Sequence, residues 1–504
     1  MRRRRFLGAA GAVGGLVVAP AAGITGYVWV RSDRGNAGTL AFRTPLRIPP
    51  VAAATVDRDG CRRFRLTVAP GQSELLPGRP TATWGVNGPI LGPTLRARRG
   101  DRVAVEVTNG LAEPTTMHWH GMHLPAAADG GPHQPIVPGA TWRPEWTVEQ
   151  RAATLWYHPH LHTTTARHVY RGVAGLFLID DDEADRLPHE YGVDDVPLIL
   201  QDRRFTGDNA LDERDLPYGG LRITGLLGDT VLVNGTYDPH FTVRTTAVRL
   251  RLLNGANARV FNVGFTDRRE VALVATDAGL LREPVRLTRV PLSPGERAEI
   301  VVSFRPGERA TLRSFPGAIG GNLMVDRLAG GDDTLDLVRF VAVGTLRGTP
   351  PLPPVLSDAP PVPPITGPAF PITMGDFTLN GRTMDLNRVD RVARTGSVEP
   401  WDLTGTEWVP HNLHVHGAAF HVLAVDDRPP APHLRGEKDT VYIPPSGKVR
   451  LAVRFLRHSD PTRPYMFHCH VLAHEDSGMM GQFLAVDPGV QVAAPVLPHP
   501  GHGQ

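Results

Sequence analysis

The chain has 504 residues, too many for one hydrophobic core and enough for about three domains of ordinary size. Its 41% hydrophobic content suits a globular protein, and a formal charge of only +3, part of it the run Arg2–Arg5, gives no indication of a nucleic-acid partner. The basic residues are nearly all Arg, with Lys only at 438 and 448, which reads as compositional bias rather than as a binding surface.

At the amino terminus, Arg3-Arg4-Arg5-Phe6-Leu7 fits the twin-arginine export pattern, and the uncharged stretch Gly8–Val30 follows directly. Ala19-Pro20-Ala21 offers a small-residue cleavage site, while the same stretch, at about 1.5 Å per residue, is long enough to span a bilayer. Residues 1–30 are therefore expected to be either a cleaved signal or a retained anchor at 8–30. With the arginines held inside, both outcomes place the rest of the chain outside, in an extracellular, periplasmic or cell-envelope setting.

Beyond the leader, short runs of Val, Leu and Thr between Gly and Pro turns predict an all-β protein. Asp101–Asn109 alternates, with Val103, Val105 and Val107 on one face, as a half-buried strand does. Val86-Asn87-Gly88, Val233-Asn234-Gly235 and Leu379-Asn380-Gly381 each precede such a strand, which implies three related sandwiches. The Pro-rich segment 344–369 reads as an extended linker.

Histidine carries the chemistry. With 21 His in the chain, chance gives about one His-x-His, yet there are five, His118/His120, His158/His160, His160/His162, His414/His416 and His468/His470. On an extended strand the two His of HCH point one way and Cys469 the other, so two different metal sites can share three consecutive residues. A thiolate (Cys469), an imidazole five residues on (His474) and a thioether five further (Met479) are the donors of a blue-copper site, given a second imidazole from elsewhere. His411, in HNLHVHG, is free to be that imidazole.

The segments HWHG, HPH, HxxHxHG and HCHxxxHxxxxM, in this order from about Thr83 to Val486, resemble the copper-ligand signature of the multicopper oxidases, the laccase and cuprous-oxidase family. No ligand position is vacant. One departure is Asn412, where many members of the family have Pro after the first His of the third segment, and it is expected to loosen the loop carrying His411.

The resemblance implies an all-β chain of three consecutive cupredoxin-like Greek-key β-sandwich domains at 45–182, 190–343 and 370–488, with a tail at 489–504. The middle domain, without a His cluster, would be a spacer that lets the two end domains meet. It implies four copper ions: a type 1 ion on His411, Cys469, His474 and Met479, a type 2 ion on His118 and His414, and two type 3 ions, one on His120, His158 and His470 and the other on His160, His416 and His468. His162, His499 and His502 are left as supporting or surface groups. Electrons from a small donor would enter at the type 1 ion, pass from Cys469 to His468 and His470, and reduce dioxygen to two waters at the three-ion cluster.

Asp129 and Glu475 stand where the family has acidic residues that deliver protons, the alternatives being a solvated loop Asp and a Glu that orients a ligand. Asp439, in EKDTV, is expected on the donor side, where it binds a cation or a phenol proton or is a plain surface Asp. Trp119, Trp156, Met466 and Met480 read as packing residues, and Cys61 as a lone, buried structural thiol.

The region 344–384 is poor in Met, with only Met374 and Met384, which favours phenols and aromatic amines as donors over Cu(I). A cuprous oxidase in copper detoxification and a non-enzymatic exported copper-binding or assembly protein remain as alternatives. All ligands lie in one chain, so a monomer suffices.

Overall fold

The computed structural model describes residues 34–492 except 215, 217–223, 318 and 360. The expected leader at 1–30, including the possible anchor, and His499 and His502 lie outside the described residues. Among the described residues, no helix is long and apolar enough to cross a membrane.

Strands dominate, in six sheets that pair into three sandwiches. Arg102–Asn109 lies within the first sandwich with Val103, Val105 and Val107 fully buried, as its alternation requires. Cys61, a free buried thiol, precedes the strand Arg62–Ser73 beside it. The third sandwich runs from the strand Phe370–Gly375 to Met480–Val486.

Two boundaries differ from the expected ones. Thr44–Pro45, at the expected start of the first sandwich, pairs in parallel with Pro239–Thr245 and so belongs to a sheet of the middle one. Leu335–Arg347 runs past 343, because its pairing partners in that same sheet continue to hold it.

The three Asn-Gly turns are built alike. Asn87, Asn234 and Asn380 have φ of 54°, 52° and 52°, a left-handed conformation that Asn tolerates. Each side chain then braces its turn on a neighbouring strand. Oδ1 accepts from Thr67 N (2.7 Å), Ile199 N (2.8 Å) and Thr373 N (2.7 Å), and Nδ2 donates to Arg65 O, Pro197 O and Pro371 O.

The first and third sandwiches dock directly. The helix Thr165–Arg171 of the first has no side-chain cap of its own, and Asp476 of the third supplies one, accepting from Thr165 N and Ala166 N at 2.9 Å each.

Candidate metal centres

Strand register assembles the site. In the first sandwich His118–His120 pairs antiparallel with Ala153–His158, setting His158 opposite His118. In the third, His411–Val415 pairs with Tyr465–His468, setting His414 opposite His468. Docking of the two sandwiches then closes eight imidazoles into one buried cluster, His118, His120, His158, His160, His414, His416, His468 and His470.

The rings face one another through nitrogens with no protein partner to spare. His160 Nε2 and His416 Nε2 stand 3.0 and 3.2 Å from His468 Nε2, and His120 Nδ1 is 3.4 Å from His158 Nε2. The Nε2 atoms of His118, His414 and His470 are buried without any hydrogen-bond partner. Most of the opposite nitrogens are anchored outward: His118 Nδ1 on Asp129 O (2.8 Å), His414 Nδ1 on Asp439 O (2.9 Å), His158 Nδ1 on Pro159 O (2.8 Å) and His416 Nδ1 on Asp129 Oδ2 (2.8 Å). Such anchoring fixes the tautomer and leaves an inward lone pair.

Burial pushes His118, His120, His158, His416, His468 and His470 well below the usual imidazole range, and crowding by neighbouring imidazoles adds to it. His160 falls to about 3, again mainly through burial. Neutral imidazoles with inward lone pairs are the form that binds cations.

The second site lies across the same strand from the cluster. Cys469 Sγ is 3.8 Å from His411 Nδ1 and 3.5 Å from His474 Nδ1, and the two nitrogens are 3.2 Å apart. Donors placed about 2.0–2.3 Å from one ion at tetrahedral to trigonal angles stand about 3.3–3.9 Å from each other, so the trio fits a single metal ion. Met479 is buried beside it, its carbonyl accepting the Cys469 N–H at 3.1 Å. Burial raises the Cys469 thiol, but the His474 charge and the bond with His411 outweigh it and bring it down to about 5. For His411 burial works downward, and Cys469 and Glu407 hold it up at about 9.

Asp129 is not a solvated loop residue. It is 3% exposed and joined to His118 and His416, and burial holds its carboxyl well above the usual range. Glu475 has both oxygens buried without a completed hydrogen bond, 3.4 Å from His160 Nδ1 and 3.3 Å from His468 Nδ1. Burial, then the neighbouring Asp476, raises it well above the usual range.

Asp439 is a correction. It is buried at the cluster, its Oδ1 3.2 Å from His120 Nε2, and not at the sulfur-bearing site. The reason is register: Thr440–Ile443 pairs antiparallel with His411–Val415, so Ile443 meets His411 and Thr440 meets His414. Asp439 is thereby carried to the cluster end. Burial would raise its carboxyl, but Arg297 holds it well below the usual range through bonds of 2.7 and 2.6 Å.

Arg297 comes from the middle sandwich, which therefore does more than space the other two. The carboxylate beside the sulfur-bearing site is Glu407, 3.6 Å from His411 Nε2. Its spacing, four residues before His411, was available in the sequence; that of Arg297 to Asp439 was not. Trp156 stacks on His158 with ring centroids 4.1 Å apart, while Trp119 packs in an aromatic group with Trp146, Tyr157 and Phe177. Met466 and Met480 are core residues, and His162 is half-buried outside the cluster.

Two family models, each described as multicopper oxidase, match residues 67–184 and 358–489. The chain is 33% identical to multicopper oxidase mco of Staphylococcus aureus over 89% of this chain and 94% of that relative. The chain belongs to the multicopper oxidase family. It is also 35% identical to the cell division protein FtsP of Escherichia coli, over 89% of this chain and 94% of that one. Among solved structures, the laccase-like multicopper oxidase CueO from Ochrobactrum sp. is 38% identical, with a TM-score of 0.78 over 88% of this chain and 100% of that one. The sandwiches of this oxidase family member are thus cupredoxin-like, and the family implies copper as the ion its histidine clusters hold.

Proposed function

We propose that the protein is a laccase-type oxidase that takes electrons singly from phenols or aromatic amines and passes them to dioxygen. The observation that carries this reading is the tripeptide His468-Cys469-His470, whose sulfur lies in the mononuclear trio while both flanking imidazoles lie in the cluster. One copper would be held by His411, Cys469 and His474 with Met479 nearby, and three by the eight imidazoles, in the type 2 and type 3 sets expected from the sequence. Bound copper supplies one-electron oxidation at the sulfur-bearing site and four-electron reduction of dioxygen to two waters at the cluster.

The protein's own groups serve the rest. Glu407, pushed down to about 2 by its contact with His411, is a partly exposed anion that offers an acceptor to a phenol O–H or an amine N–H. Trp408 beside it, 43% exposed, adds an apolar surface for an aromatic ring. Asp129 and Glu475, both raised by burial above the usual carboxyl range, stand against cluster imidazoles, where groups that pass protons to the cluster would have to be. The buried aromatic wall at Trp156 excludes water from the imidazoles.

The Ochrobactrum relative is described as active towards lignin model compounds, which supports phenolic donors here. A second reading, Cu(I) as the donor, is favoured by the Glu407 anion. Against it, Met374 is buried in the core and unavailable as a thioether ligand. All donors come from one chain, which supports a monomer.

Oxygen uptake by the copper-loaded protein, compared between a phenol and Cu(I), tests the proposal. A preference for Cu(I) beyond about tenfold, or about 1.4 kcal/mol, reverses the order of donors. A blue protein that consumes no oxygen with either donor would instead support a non-enzymatic role, as the relationship to a cell division protein allows.

A further inference from the structure

The Cys469–His470 peptide joins the two metal sites, and a side chain outside both donor sets holds it. Asn412, fully buried on the strand His411–Val415, accepts the His470 N–H at Oδ1 (2.7 Å). Its Nδ2 donates to Pro294 O (2.7 Å) and Ser293 Oγ (3.2 Å) of the middle sandwich. The amide has one workable orientation: turned over, it would set its NH2 against the His470 N–H and its oxygen against the Pro294 carbonyl. Oδ1 therefore also lies 3.7 Å from Cys469 Sγ.

The same middle-sandwich turn is pressed on the ligands themselves. Gly295, at φ 84°, leaves only tight room for a Cβ, which would lie 3.1 Å from His470 Cγ and 3.2 Å from His120 Cε1. The residue that departs from the Pro common in this family thus fastens the His411 strand instead of loosening it. Proline has no side-chain group that could make either bond.

We propose that Asn412 is a positioning residue that ties the Cys469–His470 peptide to the middle sandwich and, through the amide oxygen facing the sulfur, lowers the potential of the metal held there. This rests on the copper reading of Cys469, His411 and His474. The sign follows from electrostatics: the negative end of the amide dipole favours the oxidised, more positive site, and the surroundings of the sulfur tune such potentials. Holding the peptide against the turn also fixes His470 relative to Cys469.

The test compares wild type, Asn412→Leu and Asn412→Asp as copper-loaded proteins by blue absorption, midpoint potential and the rate at which dioxygen re-oxidises the reduced blue site. Leu removes the dipole and is expected to raise the potential and slow re-oxidation by about tenfold, the usual scale for groups supporting a metal ligand. Asp keeps the acceptor for His470 N–H and adds negative charge, so it is expected to lower the potential, while its second oxygen, set against Pro294 O, loses the bond to the middle sandwich and leaves re-oxidation slowed. Loosened packing does not produce opposite shifts, and either variant alone gives a readable sign if the other fails to fold. Shifts in the same direction, or none, overturn the proposal while the copper reading stands. A wild-type protein with no blue absorption after loading overturns the copper reading and the proposal with it.

Discussion

Replacing Arg297 by Met tests whether the middle sandwich supports the cluster. The guanidinium is fully buried and its donors are all engaged: Nε on Thr154 O (2.9 Å), Nη1 on Asp439 Oδ1 (2.7 Å) and Gly295 O (3.1 Å), and Nη2 on Asp439 Oδ2 (2.6 Å) and Asp277 O (2.9 Å). Removing one partner of a buried pair leaves an uncompensated charge and costs about 3–5 kcal/mol, against about 0–1 kcal/mol for an exposed pair. Urea unfolding of the copper-free protein, so that metal binding does not contribute, is expected to show a loss in the higher range. The double variant Arg297→Met with Asp439→Leu should be more stable than Arg297→Met alone, because the stranded anion is gone. It should still bind less copper, because His120 Nε2 has lost its carboxylate partner and keeps only Thr440 Oγ1 at 3.1 Å. A cost below about 1 kcal/mol for the single variant, or strict additivity of the two changes, would refute the reasoning.

Asp129→Asn and Glu475→Gln are each expected to slow turnover by about 10–100-fold while leaving the blue absorption unchanged, and undiminished turnover in both removes them from proton delivery. Glu407→Gln should raise KM for phenols and amines more than it lowers kcat; an unchanged KM places the donor elsewhere. In the copper-free protein the Cys469 thiol is lowered in the folded state, to about 5, so its contribution to stability is present above the unfolded thiol range and is lost as pH falls through about 5. Thiolate absorption followed against pH in wild type and Cys469→Ser checks this, and a thiol that titrates near its ordinary value would contradict it. Whether the expected leader is cleaved or retained is decided by mass spectrometry of the mature amino terminus of exported protein, a start shortly after Ala21 marking cleavage and an intact Arg2–Val30 marking an anchor.

The donor residues were legible because their information is local. Alternation along a strand separates Cys469 from His468 and His470, and HWHG, HPH and HNLHVHG each hold their spacing within a few residues. Asp439 was misplaced because its position depends on the register of Thr440–Ile443 against His411–Val415, which no short window encodes. Arg297 and Pro294 were missed for a related reason: their partners Asp439 and Asn412 lie 142 and 118 residues away in the chain. Asn412 itself was noticed only as the absence of a proline. Its bonds became visible once the middle sandwich was seen to supply the facing carbonyl.

Gly295 carries a consequence for how the protein matures. A Cβ there would touch rings from the first and third sandwiches at once, so the middle sandwich comes up against the imidazoles that receive the ions. Removing residues 190–343 takes away that support together with Arg297, so metal uptake is expected to follow tertiary assembly rather than guide it.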